Sequence, residues 1–127
     1  MRVLLDTNVL LRALAGDSAV ESMRDILLSE ETEVFISAVS WWDIAARIDA
    51  GLLQADLQEL REAAVESGFV ELPLRGEHVG ALPSVSESGL KLTSFDRMIT
   101  AQAESEPLRL ISADARLAGR SSLFLRA

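Results

Sequence analysis

The sequence predicts an α/β fold, a three-layer α/β/α domain with a mostly parallel central sheet. Two observations carry this expectation. Short apolar runs at Val3-Leu4-Leu5, Val34-Phe35-Ile36 and Leu108 to Ile111 have the length of buried strands, and the stretches between them place apolar residues at helical spacing. Strands that alternate with helices imply parallel pairing through right-handed crossovers. At 127 residues the chain reads as one domain, 1–127. A domain of that size buries roughly two thirds of the surface its unfolded chain exposes.

The first strand, Val3 to Leu5, leads into a helix from Val9 through Ala15 that stops at Gly16-Asp17. Ser18-x-x-Glu21 has the form of a capping box, opening a second helix with Met23, Ile26 and Leu27. After the strand at Val34 to Ile36 and Ser37, the segment through Ala50 places Val39, Trp42 and Ala46 at helical intervals and is ended by Gly51. This phase puts Trp42 in the core. Trp41 then faces another way, toward a base, a partner or ordinary packing. Asp56-x-x-Glu59 opens a fourth helix, Phe69-Val70 is a short strand, and Arg75 to Leu82 is a weaker helix stopped by Pro83. Ser84 to Leu92, polar and interrupted by Gly89, reads as a loop. A last helix, with Ser94 as its candidate cap, runs to Glu104. Pro107 turns the chain into the strand ending at Ile111, and Leu123 to Leu125 closes the sheet.

Composition narrows the chemistry. There is no cysteine, no tyrosine, one histidine (His78) and one lysine (Lys91), so thiol nucleophiles, disulfides and multi-histidine zinc sites are excluded. No phosphate-binding or dinucleotide glycine motif is present. His78, in GEHVGAL, reads as structural. Twenty acidic against twelve basic residues give a net charge of -8, which disfavours non-specific adhesion to polyanions. No run approaches the ~18 apolar residues that span a bilayer. Asp6 interrupts the first apolar stretch too early for a secretory signal, so a soluble, cytoplasmic protein is expected.

Carboxylates remain. Ligands of open α/β sheets bind beyond the carboxyl ends of the strands, and connectivity brings four aspartates there. Asp6 ends the first strand, Asp114 follows the strand ending near Ile111, and Asp43 lies in the early turns of the helix leaving the second strand. Asp96 opens a helix that runs back across the sheet. Each also has a local reading. Asp6 caps a helix, Asp43 is the third residue after a capping Ser40, Asp96 favours a positive helix end, and Asp114 starts a turn. Four like charges on one edge raise each other's pKa unless a cation neutralises them. Oxygen-only ligands select Mg²⁺ or Mn²⁺, which points to phosphodiester chemistry without a protein nucleophile.

With these residues in place, the chain resembles the PIN-domain ribonucleases, specifically the VapC-type toxins of bacterial toxin-antitoxin pairs. The likeness rests on LLDTNVLL, VFISAVSWWDIAARI, SFDRMITAQA and LISADARL, in the family's order and at about its spacings over nearly the full length. The resemblance implies a metal-dependent endoribonuclease with Asp6, Asp96 and Asp114 at the metal and Asp43 completing the catalytic set. Asp43 stands where relatives usually carry glutamate in S-x-W-E-I. Thr7, Asn8 and Ser112 match supporting polar positions. It implies as partners an RNA substrate, a small cognate antitoxin with a basic tail, and a second copy of the chain in a homodimer. Arg97 and Arg116, with Arg120 beyond, are candidate substrate contacts.

The departures are specific. Asp43 is one methylene shorter than glutamate. Ser94 replaces an acid of a D-P-F-D-R pattern, and the preceding loop offers Ser86, Glu87 and Lys91 where many relatives carry His and Arg. These differences keep a second reading open, a catalytically impaired PIN-like module that binds RNA or a partner protein. A phosphatase of the haloacid-dehalogenase type is a weaker match to LLDTN, because Asn8 replaces the second aspartate of D-x-D-x-T and Lys91 precedes a helix.

Overall fold

The computed structural model describes residues 1–16, 23–87, 89, 91–117 and 124–127. The capping-box residues Ser18 and Glu21, together with Arg120 and Leu123, lie outside the described residues. In chain order the elements are β1 (Arg2–Leu5), α1 (Thr7–Ala15), α2 (Arg24–Leu28), β2 (Glu33–Ser37), α3 (Ala38–Asp49), α4 (Leu57–Glu66) and β3 (Val70–Leu72). They continue with α5 (Gly76–Glu87), α6 (Ser94–Ser105), β4 (Arg109–Ser112), a 3-10 turn (Ala115–Leu117) and β5 (Leu125–Arg126). The described strands form one sheet ordered β3-β2-β1-β4-β5, with every pair parallel. The expected three-layer α/β/α arrangement is present.

Strand alternation divides the core between the two faces. Leu4, Phe35 and Leu110 point into one cluster with Val85 of α5 and Ile99 of α6. Val3, Leu5, Val34, Ile36 and Ile111 point into the other, with Val9 and Leu10 of α1, Ile44 of α3 and Ala64 of α4. Both faces are covered, which is why the strands read as continuous apolar runs.

The chain steps outward from β1 to β2 and β3, then crosses to the far side of β1 for β4 and β5. The strand order therefore reverses between β1 and β4. That switch point is where ligands of open α/β sheets bind.

Four local expectations need correction. Pro83 does not stop a helix: it lies inside α5, which continues to Glu87 through four residues expected to be loop. Proline lacks an N–H and crowds the preceding turn, but Val85 just beyond it is 1% exposed in the core, so packing outweighs local propensity. The two tryptophans are exchanged: Trp41 is buried in the second cluster, and Trp42 is 63% exposed. The buried face of α3 takes in Val39, Ser40, Trp41, Asp43 and Ile44, a broad sector that leaves Trp42 on the open side although Val39 is covered. Trp42 instead meets Phe95 edge-on, with ring centroids 4.9 Å apart. The α3 cap is Ser37, whose hydroxyl accepts from the Val39 amide at 2.9 Å, and Ser40 is interior. The α6 cap is Thr93, accepting from the Asp96 amide at 3.1 Å, with Ser94 the first helical residue.

Candidate active site

The switch point holds a pocket of about 270 Å³ whose polar lining comes from four elements. Asp6 and Asn8 enter from the β1–α1 junction, Asp96 from the first turn of α6, and Ser112 and Asp114 from the end of β4. The backbone brings them together because the Asp6 amide donates to the Ile111 carbonyl at 3.1 Å, extending the β1–β4 ladder by one rung. Asp6 is also the α1 cap, with Oδ1 accepting from the Val9 amide at 2.8 Å. The cap and site readings of Asp6 thus describe the same side chain.

Burial pushes the Asp6 carboxyl above its ordinary 3.8; hydrogen bonds from Ser112 and Val9 oppose the rise, and Asp96 and Asp114 add to it. Burial also raises Asp96. Its hydrogen bond with Thr93 and the charge of Arg47 oppose that rise, while Asp43 and Asp114 reinforce it. Asp114 moves the other way, because side-chain hydrogen bonds from Arg116 hold it below the usual range. Arg116 sets Nη2 2.6 Å from Asp114 Oδ2 and Nε 2.9 Å from Oδ1, and its Nη1 donates to the Lys91 carbonyl at 2.7 Å. The Ser112 hydroxyl accepts from the Asp114 amide at 3.0 Å and so orients the turn.

The remaining candidates sit outside this lining. Thr7 is fully buried and donates to the Ser40 hydroxyl at 3.2 Å, tying α1 to α3. Arg97 is half-buried, and its Nε has no hydrogen-bond partner. Asp43 is buried beside the pocket, where its charge acts on Asp96. Its carboxylate is gripped by Arg47, with Nε 2.9 Å from Oδ1 and Nη2 3.1 Å from Oδ2; Arg47 Nη1 reaches Asn8 Oδ1 at 2.9 Å. Sequence reasoning passed over Arg47 and over Arg12, which lines the pocket. Both were marked by spacing: Asp43 with Arg47 and Asn8 with Arg12 are i,i+4 pairs, which share a helix face.

The three pocket aspartates fit a hard divalent cation: the donors are oxygen only, and two of the three carry a charge that their surroundings disfavour. A second group, Glu77, His78 and Glu106, brings its ligand atoms within 4.8 Å of one another. Its protons argue against a metal. His78 is fully buried, and its Nδ1 accepts from the Arg75 amide at 3.0 Å, with the Gln102 amide nitrogen 3.3 Å away. A backbone N–H only donates, so Nδ1 supplies the lone pair and Nε2 carries the proton, directed at Glu106 Oε1 2.6 Å away. Gln102 also accepts from Ser37 and donates to the Pro73 carbonyl at 3.3 Å. This is a satisfied core network, as the structural reading of His78 expects.

A parallel α/β sheet with a carboxylate pocket at its switch point defines a class, and family comparison identifies it further. Residues 3–121 match the PIN domain. The chain belongs to the PIN-domain family. Among solved structures it is similar to VapBC2 from Rickettsia felis bound to a fragment of promoter DNA, with TM-score 0.73, 14% identity and coverage of 100% of this chain and 98% of that one. It is similar to a toxin-antitoxin complex from Klebsiella pneumoniae, with TM-score 0.69, 20% identity and coverage of 97% and 95%. VapBC-1 from nontypeable Haemophilus influenzae gives TM-score 0.67 at 15% identity, covering 100% and 97%. No curated protein matches significantly. No described helix is long and apolar enough to cross a membrane.

Proposed function

We propose that this chain is a Mg²⁺- or Mn²⁺-dependent endoribonuclease acting as the toxin of a toxin-antitoxin module. The observation that carries the reading is the meeting of Asp6, Asp96 and Asp114 in one pocket, with burial and mutual repulsion raising two of them. Asp6, Asp96 and Asp114 would hold a divalent ion, which when bound would activate water and offset charge on the leaving oxygen. Ser112 orients the Asp6–Asp114 pair, and Asn8 and Asp43 support the site. Arg116, bound to Asp114, and Arg97, which follows Asp96 on α6, are the candidate substrate contacts. The partner is a small antitoxin whose basic tail complements the acidic edge. The VapBC complexes that share the fold support an antitoxin partner; a homodimer and a cytoplasmic location complete the proposal.

The test is RNA cleavage by purified protein with Mg²⁺, with Mn²⁺ and with excess EDTA. Cleavage that survives chelation sinks the metal reading. A second reading, a PIN-like binding module impaired in catalysis, is favoured by the pairing of Asp43 with Arg47. RNA retention without turnover under all three conditions selects it.

A further inference from the structure

Arg47 reaches two residues of the candidate site at once. One helical turn separates it from Asp43, both Asp43 oxygens accept from it, and its remaining Nη1 is committed to Asn8 at the start of α1. Asp43 is 5% exposed through its side chain and Arg47 30%, so the pair is shielded from solvent competition on the carboxylate side. A planar fork engaging both oxygens of a carboxylate is the strongest form of this contact. The short aspartate side chain keeps that carboxylate near its own helix, within reach of the residue four positions on.

The charges of the site point the same way. Among the described residues, four carboxylates, Asp6, Asp43, Asp96 and Asp114, face three guanidinium groups: Arg47 and Arg116 in direct ion pairs with Asp43 and Asp114, and Arg12 in the pocket lining. One negative charge is left over, which a single divalent ion more than offsets. A second divalent ion adds two further positive charges and finds Asp43 already occupied.

We infer that Arg47 is the site's fixed cation: it withdraws Asp43 from the metal ligands, anchors Asn8, and limits the pocket to one divalent ion bounded by Asp6, Asp96 and Asp114. Arg47 is a positioning residue acting through Asp43 and Asn8. The inference rests on the metal-dependent reading of the pocket and adds the ion count and the role of a residue outside the ligand set.

Mn²⁺ titration followed by the paramagnetic resonance signal of the free ion tests this without RNA or turnover. The parent chain is expected to bind one ion. Arg47→Met should admit a second, weaker ion, and Arg47→Met combined with Asp43→Asn should return the count to one. Loss of an outer-shell partner costs about 10- to 100-fold in metal affinity, so Asp43→Asn alone should lower Mn²⁺ affinity clearly less than Asp6→Asn, which removes a ligand. Two ions on the parent, one ion on a folded Arg47→Met variant, or a loss in Asp43→Asn as large as that in Asp6→Asn overturns the inference and leaves the metal-dependent reading standing. If Arg47→Met does not fold by circular dichroism, the Asp43→Asn affinity decides. A parent chain that binds no Mn²⁺ overturns the metal reading and this inference together.

Discussion

Asp6 accepts a hydrogen bond from the Val9 amide at 2.8 Å while its carboxylate lines the acidic pocket. One side chain therefore starts a helix and contributes charge to a site. The two roles separate by substitution, because asparagine caps a helix as well as aspartate does and alanine does not.

Asp6→Asn is expected to keep the stability of the metal-free chain at neutral pH, or raise it, since burial and neighbouring carboxylates disfavour the charge being removed. Asp6→Ala loses the cap and should cost about 1 kcal/mol relative to Asp6→Asn. Both variants should lose the rise in melting temperature that Mg²⁺ gives the parent. Thermal melts with and without Mg²⁺ check this, and an undiminished Mg²⁺ effect in both removes Asp6 from the ligand set.

The pH dependence follows from Asp96. Its folded pKa lies above the ordinary 3.8, so between these values the folded state binds more protons than the unfolded one and stability falls as pH rises. The penalty is full above the raised value and absent below 3.8. Asp96→Asn should therefore stabilise the metal-free chain most at neutral pH, with the advantage fading as pH falls toward 3.8. Urea unfolding of both proteins across that window measures it; a difference that grows on acidification contradicts the assignment.

The tryptophans give a direct contrast. Trp41→Ala opens a cavity in the core and should cost about 3 to 5 kcal/mol. Trp42→Ala removes an exposed ring and its edge contact with Phe95, worth about 0.5 to 1.5 kcal/mol. Acrylamide should quench the parent's fluorescence mainly through Trp42, so Trp42→Phe should leave an emission that acrylamide barely reaches. Stronger quenching of the variant than of the parent would place the indoles the other way round.

His78 separates structure from metal binding. His78→Leu strands the Arg75 amide and a Gln102 donor, at a cost of about 1 to 3 kcal/mol for each buried group left unpaired. The Mg²⁺-induced rise in melting temperature should survive in this variant. Loss of that rise would move the metal to Glu77, His78 and Glu106.

Much of this was legible in the sequence because the sheet is buried on both faces. Val3–Leu5, Val34–Ile36 and the run ending at Ile111 are continuous apolar segments, and connectivity alone sends Asp6, Asp96 and Asp114 to one edge. What escaped depended on long-range packing. Nothing near Pro83 shows that Val85 is needed in the core, and the helical phase of Trp41 and Trp42 differs by one residue. That choice is made by which helix face the sheet covers. Arg47 escaped because i,i+4 spacing alone does not tell an arginine held by a buried carboxylate from a solvated one.

The central place of β1 has a consequence during synthesis. β1 pairs on one side with Glu33–Ile36 and on the other with Arg109–Ile111, so on the ribosome the first strand waits with one edge unpaired until β4 emerges. Such long-range closure is slow. The pocket waits with it, since Asp6 meets Asp114 only once the last fifth of the sequence is made. Interrupted translation therefore yields chains with an incomplete sheet and no assembled pocket.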